Sequence, residues 1–191
     1  MTTWFGFIFG IAFITEDLLE GIQPHQTFNI NDHWGIIGLA LVVIGVFLRS
    51  WSAGILHKSE ILTMTGPYAL MRHPLYIGSF LIGIGFCTVI GDYENFLLVL
   101  LLLLPLHVRK ARREERKLLG KFGSEWTAYA GRVGAFYPKS IPVKTSSSWS
   151  FSQWVRNTEY GAFVTSILGL AAMQVWHIHS SFITHMTASI W

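Results

Sequence analysis

Two short stretches carry the residues whose types and spacing suit chemistry. One is Tyr68 followed by Arg72-His73-Pro74-Leu75-Tyr76-Ile77-Gly78; the other holds His107, Lys110, Glu114 and Glu115. Pro74 fits the first turn of a helix, where its missing N–H costs least. Arg72 and His73 then stand at a helix N-terminus, whose free N–H groups favour an anion such as a carboxylate. Glu114 adds a carboxylate that would sit just below the membrane surface.

Helical elements must position these groups. A helix running through 107–118 puts His107, Lys110, Ala111 and Glu114 on one face, because positions three, four and seven apart align. Glu115 points about a quarter turn away and is expected to matter less. An apolar stripe of Leu118, Leu119, Phe122, Trp126 and Tyr129 continues at helical spacing, and Gly120 and Gly123 should break or bend that helix. Gly78, Gly83 and Gly85 bare one helix surface, which suits close helix packing or approach to a ligand. Taken alone, Glu114 and Glu115 read better as surface carboxylates paired with neighbouring Arg and Lys than as site residues.

The whole chain points to a membrane. Its 191 residues are 51% hydrophobic and only 13% charged, with a mean hydropathy of +0.44, unusual for a soluble globule and short enough for one domain over 1–191. Apolar runs at Trp34–Leu48, Tyr76–Ile90, Phe96–Val108 and Tyr160–Trp176 approach spanning length once their flanks are counted. A shorter run, Trp4–Ile14, lacks a basic start and reads as a retained short span or an interfacial helix rather than a signal peptide. The expected fold is all-α and integral to the membrane, with about five transmembrane helices and a C-terminal span near 160–178.

Charge sets the orientation, since short cytoplasmic loops retain Lys and Arg. Glu16, Asp17, Glu20 and Asp32 lie in a stretch without Lys or Arg, and Asp92 and Glu94 flank Gly91. Both loops are expected outside. Arg49, Lys58 and Arg72, and the basic run from Arg109 to Arg156, are expected inside, so the 55–78 and 107–142 segments would form a cytoplasmic pocket. The pI near 9.1 is better explained by juxtamembrane basic clusters facing anionic lipid than by nucleic acid. Cys87 is the only cysteine, so intramolecular disulfides and cysteine-based zinc sites are excluded. His177, His179 and His185 have no neighbouring carboxylate or cysteine to complete a metal set and read as interfacial.

In combination, the two stretches resemble the isoprenylcysteine carboxyl methyltransferase family and its prokaryotic relatives, themselves related to phospholipid methyltransferases. The family pattern is met by Gly66, Tyr68, Arg72-His73-Pro74-Leu75-Tyr76-Ile77-Gly78, Glu114-Glu115-Arg116-Lys117-Leu118, Phe122-Gly123, Tyr129, Val133 and Pro138. Arg49 to Gly54 with Leu62-Thr63 resembles the lead-in, so the likeness covers roughly 49–142. It implies a prokaryotic, multi-pass membrane enzyme that transfers a methyl group from S-adenosylmethionine to a lipophilic acceptor, most simply a carboxylate.

The resemblance also implies residue roles. Leu62, Thr63, Tyr68, His73, Pro74, Leu75, Tyr76, Gly78 and Glu114 would hold S-adenosylmethionine, His73 and Glu114 would serve catalysis, and Lys110 would face the acceptor. No metal is implied. Departures from the pattern are Glu60 in place of His, Trp126 in place of Tyr, and Lys110 in place of Arg, which gives a point charge instead of a bidentate fork. Two other families share parts of the pattern. Phospholipid N-methyltransferases also have a Gly-x-Gly such as Gly83-Ile84-Gly85 with a Glu pair. Sterol reductases, which use a nicotinamide cofactor, have Asn where Leu75 stands. A lipid-binding protein without activity is the non-enzymatic alternative.

Overall fold

A computed structural model describes residues 21–58, 61–139 and 148–188, with side chains through Ser180. The expected first span at Trp4–Ile14, the acidic Glu16, Asp17 and Glu20, Glu60, and the side chain of His185 lie outside the described residues. The described residues are helical and form no strand: α1 His33–Ile55, α2 Pro67–Leu70, α3 Pro74–Ile90, α4 Tyr93–Arg132, α5 Phe151–Arg156 and α6 Glu159–Ala188. Two helices are long and apolar enough to cross a membrane, His33–Ile55 and Glu159–Ser180, and the 17-residue α3 is apolar but shorter. The apolar stretch Phe96–Val108 opens the 40-residue α4, whose later part is charged.

The α1/α3 pair is built on glycine. Gly38 and Gly45 of α1 meet Gly85 and Gly78 of the antiparallel α3. A Cβ on Gly45 would sit 2.7 Å from the Gly78 carbonyl oxygen, and one on Gly85 would sit 2.8 Å from that of Gly38. The seven-residue spacing within each helix keeps both glycines on one face, which lets the backbones approach where side chains would hold them apart. Gly83 turns to the other side, where an added Cβ would lie 3.3 Å from Leu103 and 3.4 Å from Val99 of α4. All three glycines of α3 therefore serve packing. Exposed Val43, Ile44, Phe47, Leu97, Leu101, Leu168 and Val175 form the outer faces that a bilayer would cover.

Charged and amide side chains tie the ends together. Glu159, only 4% exposed, accepts from Arg49 Nε at 2.6 Å and Nη2 at 2.9 Å. Arg49 Nη1 also reaches Ser79 Oγ and the Leu75 carbonyl, joining α1, α3 and α6. The last carbonyls of α1 have no partners within their own helix. Asn157 donates to Ala53 and Leu56 at 2.7 and 2.8 Å, and the Trp149 indole donates to Ser50 at 3.0 Å. The Ser150 N–H donates to Gly54 at 2.9 Å.

At the other end, His177 Nδ1 lies 2.6 Å from the Pro24 carbonyl. Asp32 caps α1, accepting from the N–H groups of Gly35 at 3.1 Å and Gln26 at 2.8 Å, with His25 Nδ1 also at 3.1 Å. Burial opposes its ionisation, but these donors win and hold its carboxyl below the usual value. Asp32→Ala should cost about 1 kcal/mol of stability, the typical worth of an N-cap. Because the folded carboxyl titrates below its unfolded value near 3.9, the difference from wild type is full above that pH and disappears as pH falls through the folded value. Thermal melts of both proteins in detergent at pH 7 and in acid check this, and a pH-independent gap would refute the capping account.

Candidate active site

Tyr68 opens the site from α2. Its side chain is packed to 6% exposure, and its hydroxyl is buried without a hydrogen-bond partner among the described residues. Burial first, then the charge of Glu114, pushes its phenol well above the ordinary value, so it stands as an O–H. Its backbone carbonyl accepts from the Tyr129 hydroxyl at 2.7 Å, and burial raises the Tyr129 phenol as well. That bond pins α2 to the last turns of α4.

The segment before α3 is held by the residues that follow α4. Met71 pairs with Gly134 in an isolated parallel bridge, and the Arg72 and His73 N–H groups donate to Gly134 and Ala135 at 2.8 and 3.0 Å. This return path depends on Gly123, whose φ of 51° breaks the helical run inside α4, while Gly120 stays helical. Arg72 Nη1 donates to the Ala130 and Val133 carbonyls at 2.8 and 3.0 Å. Its Nη2 lies 2.7 Å from Glu115 Oε1, and its guanidinium lies over Trp126, 5.7 Å from the ring centroid.

His73 caps α3 at a point where no side chain satisfies the first N–H groups, and it is buried. Its Nε2 lies 3.0 Å from Glu115 Oε1, with Phe136 and Tyr76 flanking the ring at centroid distances of 5.5 Å. With Nε2 donating to Glu115, Nδ1 faces Glu114, whose Oε2 is 3.8 Å away. Glu114 Oε2 also accepts from the Tyr76 hydroxyl at 2.9 Å. The Glu114 side chain is 52% exposed, and its Oε1 is open. Lys110 Nζ stands 5.6 Å from the Tyr76 ring centroid, and His107 meets that ring edge-on.

His73, Tyr76, Lys110 and Glu114 thus converge, with Tyr68 close enough to feel the charge of Glu114. Pro74 is fully buried at the first position of α3, and Leu75 is half-buried with its carbonyl on Arg49. Leu62 and Thr63 lie before α2, where Thr63 Oγ1 accepts from the His57 N–H at 3.4 Å. Gly78 faces α1, with Arg49 and Gly45 against it.

Glu115 holds both Arg72 and His73, a structural part that its sequence position did not show: the quarter turn that takes it away from Glu114 takes it into the interior. The adjacent Glu pair was the available signal. Phe136 and the Ala135 carbonyl had no signal, since their contact with His73 depends on the chain returning after Gly123. The same is true of the Arg49–Glu159 pair, 110 residues apart.

The architecture is that of a helical membrane-associated domain with a polar cluster at the end of its apolar helices, and comparison with known proteins shows what it is similar to. The model of the phospholipid methyltransferase family matches residues 33–125. The nickel-cobalt-cadmium resistance protein NccN of Alcaligenes xylosoxydans xylosoxydans is 31% identical over 119 residues, covering 60% of this chain and 53% of that protein. The cobalt-zinc-cadmium resistance protein CzcN of Cupriavidus metallidurans is 32% identical over 120 residues, 61% and 53% respectively. The protein-S-isoprenylcysteine O-methyltransferase of Schizosaccharomyces pombe is 31% identical over 87 residues, 46% and 35%. The chain therefore spans about half or less of the length of these relatives. The resemblance read from its motifs holds: this chain is related to the phospholipid and isoprenylcysteine methyltransferases.

Proposed function

We propose that the chain transfers a methyl group from S-adenosylmethionine to a lipophilic acceptor embedded in the bilayer, the methylated group being a carboxylate. The convergence of His73, Tyr76 and Glu114 at the start of α3 carries this reading. The residues fit the cofactor. The unpartnered Tyr68 hydroxyl and the first turn of α3, from His73 through Pro74 and Leu75 to Tyr76, would hold its carboxylate and ring. The open oxygen of Glu114 would hold its ammonium, and Leu62 and Thr63 would contribute backbone groups. When bound, S-adenosylmethionine supplies a methyl group already activated on a sulfonium.

The protein's task is then alignment and exclusion of water. Glu115 and Phe136 fix the His73 ring, and Tyr76 ties α3 to Glu114, so two elements of the pocket keep a common register. A carboxylate acceptor needs no base. Lys110, exposed one turn before Glu114 and resting on Tyr76, would meet the anionic head of an acceptor arriving from between the apolar helices. The pocket would face the cytoplasm, on the side of the basic loops, with about five helices crossing the membrane.

A second reading is supported by the description of the matched family: N-methylation of a phospholipid amine, which needs the amine neutral and so gives His107 or His73 a proton to remove. The relatives named for metal resistance raise a third association, yet no group of three or more His, Cys, Asp or Glu gathers among the described residues.

Equilibrium binding to the purified protein in detergent tests the proposal. Saturable uptake of S-adenosylmethionine, with no saturable uptake of NADPH, is expected. The reverse result would transfer the site to the reductases and overturn it. With labelled methyl donor, a base-labile product identifies an ester, whereas a base-stable product selects the amine reading.

A further inference from the structure

On the face of α4 turned away from Glu114, a groove of about 550 Å³ lies between Arg112, Glu115, Arg116, Leu119 and Trp126. Arg112 and Arg116 are one turn apart, and neither meets a carboxylate within the described residues. Arg116 Nε folds back toward the Arg112 carbonyl at 3.4 Å, and both side chains line the groove. The negative charge of Glu115 is met by Arg72, so the lining presents roughly two uncompensated positive charges.

Position selects the ligand. The apolar part of α4 ends at Val108, so Arg112 lies about 6 Å and Arg116 about 12 Å further along the axis at 1.5 Å per residue. A bilayer's headgroup layer adds about 5–8 Å on each side of its hydrocarbon, and Arg side chains reach back toward it. Leu119, 48% exposed, and the indole of Trp126 add apolar walls that a bare inorganic anion would not use. The volume also far exceeds what a bare phosphate needs, given about 30 Å³ per water in the liquid.

We propose that this groove seats the phosphate headgroup of an anionic membrane phospholipid, clamped by Arg112 and Arg116 and backed by Leu119 and Trp126. The Arg72–Glu115 pair forms the wall between it and the Tyr76–Glu114 cluster, so the two sites are separate and neither requires the other.

The test uses the purified full chain in detergent, titrated with short-chain phosphatidylglycerol, phosphatidylcholine or inorganic phosphate, and read by native mass spectrometry and thermal shift. Wild type should bind one phosphatidylglycerol saturably and ignore phosphatidylcholine. R112Q/R116Q should bind it on the order of 30-fold more weakly, from the effect per basic residue at an anionic surface. R113Q/K117Q removes the same charge from a different face and should bind like wild type. Equal weakening in both double variants would reduce the effect to general attraction and overturn the groove. Saturable binding of inorganic phosphate with similar affinity would replace the lipid with a free anion, and competition by S-adenosylmethionine would merge the groove with the cofactor site; either overturns the proposal. Folding of R112Q/R116Q is checked by its unliganded melting temperature, and W126A, which leaves both guanidiniums in place, should also weaken phosphatidylglycerol binding.

Discussion

Replacing Arg72 with alanine is expected to destabilise the protein by about 3 kcal/mol, the lower end of the range for removing one partner from a buried ion pair. The lower end applies because the Arg72 and Glu115 side chains are 13% and 26% exposed. The loss has three parts: Glu115 keeps only His73, the Ala130 and Val133 carbonyls lose their donor, and Trp126 loses the cation over its ring. Arg72→Lys should recover only part, since an ammonium cannot serve Glu115 and both carbonyls with the guanidinium's planar fork. Deleting both charges in R72A/E115A should cost less than the sum of the single losses, because no carboxylate is then stranded. Thermal or denaturant unfolding in detergent of wild type, R72A, R72K, E115A and R72A/E115A measures these differences. A loss below about 1 kcal/mol for Arg72→Ala would show the pair to be a surface contact of ordinary worth.

The second large effect falls on affinity rather than stability. Glu114→Gln keeps an oxygen to accept from the Tyr76 hydroxyl but removes the charge, so S-adenosylmethionine binding should weaken by about 1.5–3 kcal/mol, or roughly 10- to 150-fold. The exposed position of Glu114 keeps the stability change within about 0.5 kcal/mol. Glu115→Gln should show the opposite balance, a lower melting temperature with a smaller change in affinity, because that carboxylate is occupied by Arg72 and His73. Isothermal titration on the three proteins separates the roles. Unchanged affinity in a folded Glu114→Gln variant would return Glu114 to the status of a solvated carboxylate.

The crossed behaviour expected of Glu114 and Glu115 has one geometric cause. Adjacent positions on a helix differ by about 100°, so one carboxylate can face an open pocket while its neighbour is drawn into an internal network. The network keeps His73 and the first turn of α3 in register with α4, and it depends on the chain reversing at Gly123. The site is therefore assembled by segments on both sides of α3, not by α3 and α4 alone.

Local patterns in the sequence were enough to determine the helical class, the apolar stretches, the start of α3 at Pro74, the bend near Gly123, and the shared face of His107, Lys110 and Glu114. Each rests on periodicity or on the backbone limits of one residue, which operate within a few positions of the chain. The motifs also sufficed to indicate the family. Tertiary structure alone decided that Gly38 and Gly45 receive Gly85 and Gly78, that Arg49 pairs with Glu159, that Phe136 closes on His73, and that Glu115 instead of Glu114 takes the internal ion pair. These contacts join residues far apart in sequence, so no local period encodes them; they follow from which helix faces meet and where the chain turns back. Between two neighbouring carboxylates of identical chemistry, packing against Arg72 and His73 is what makes one a strut and leaves the other open to a ligand.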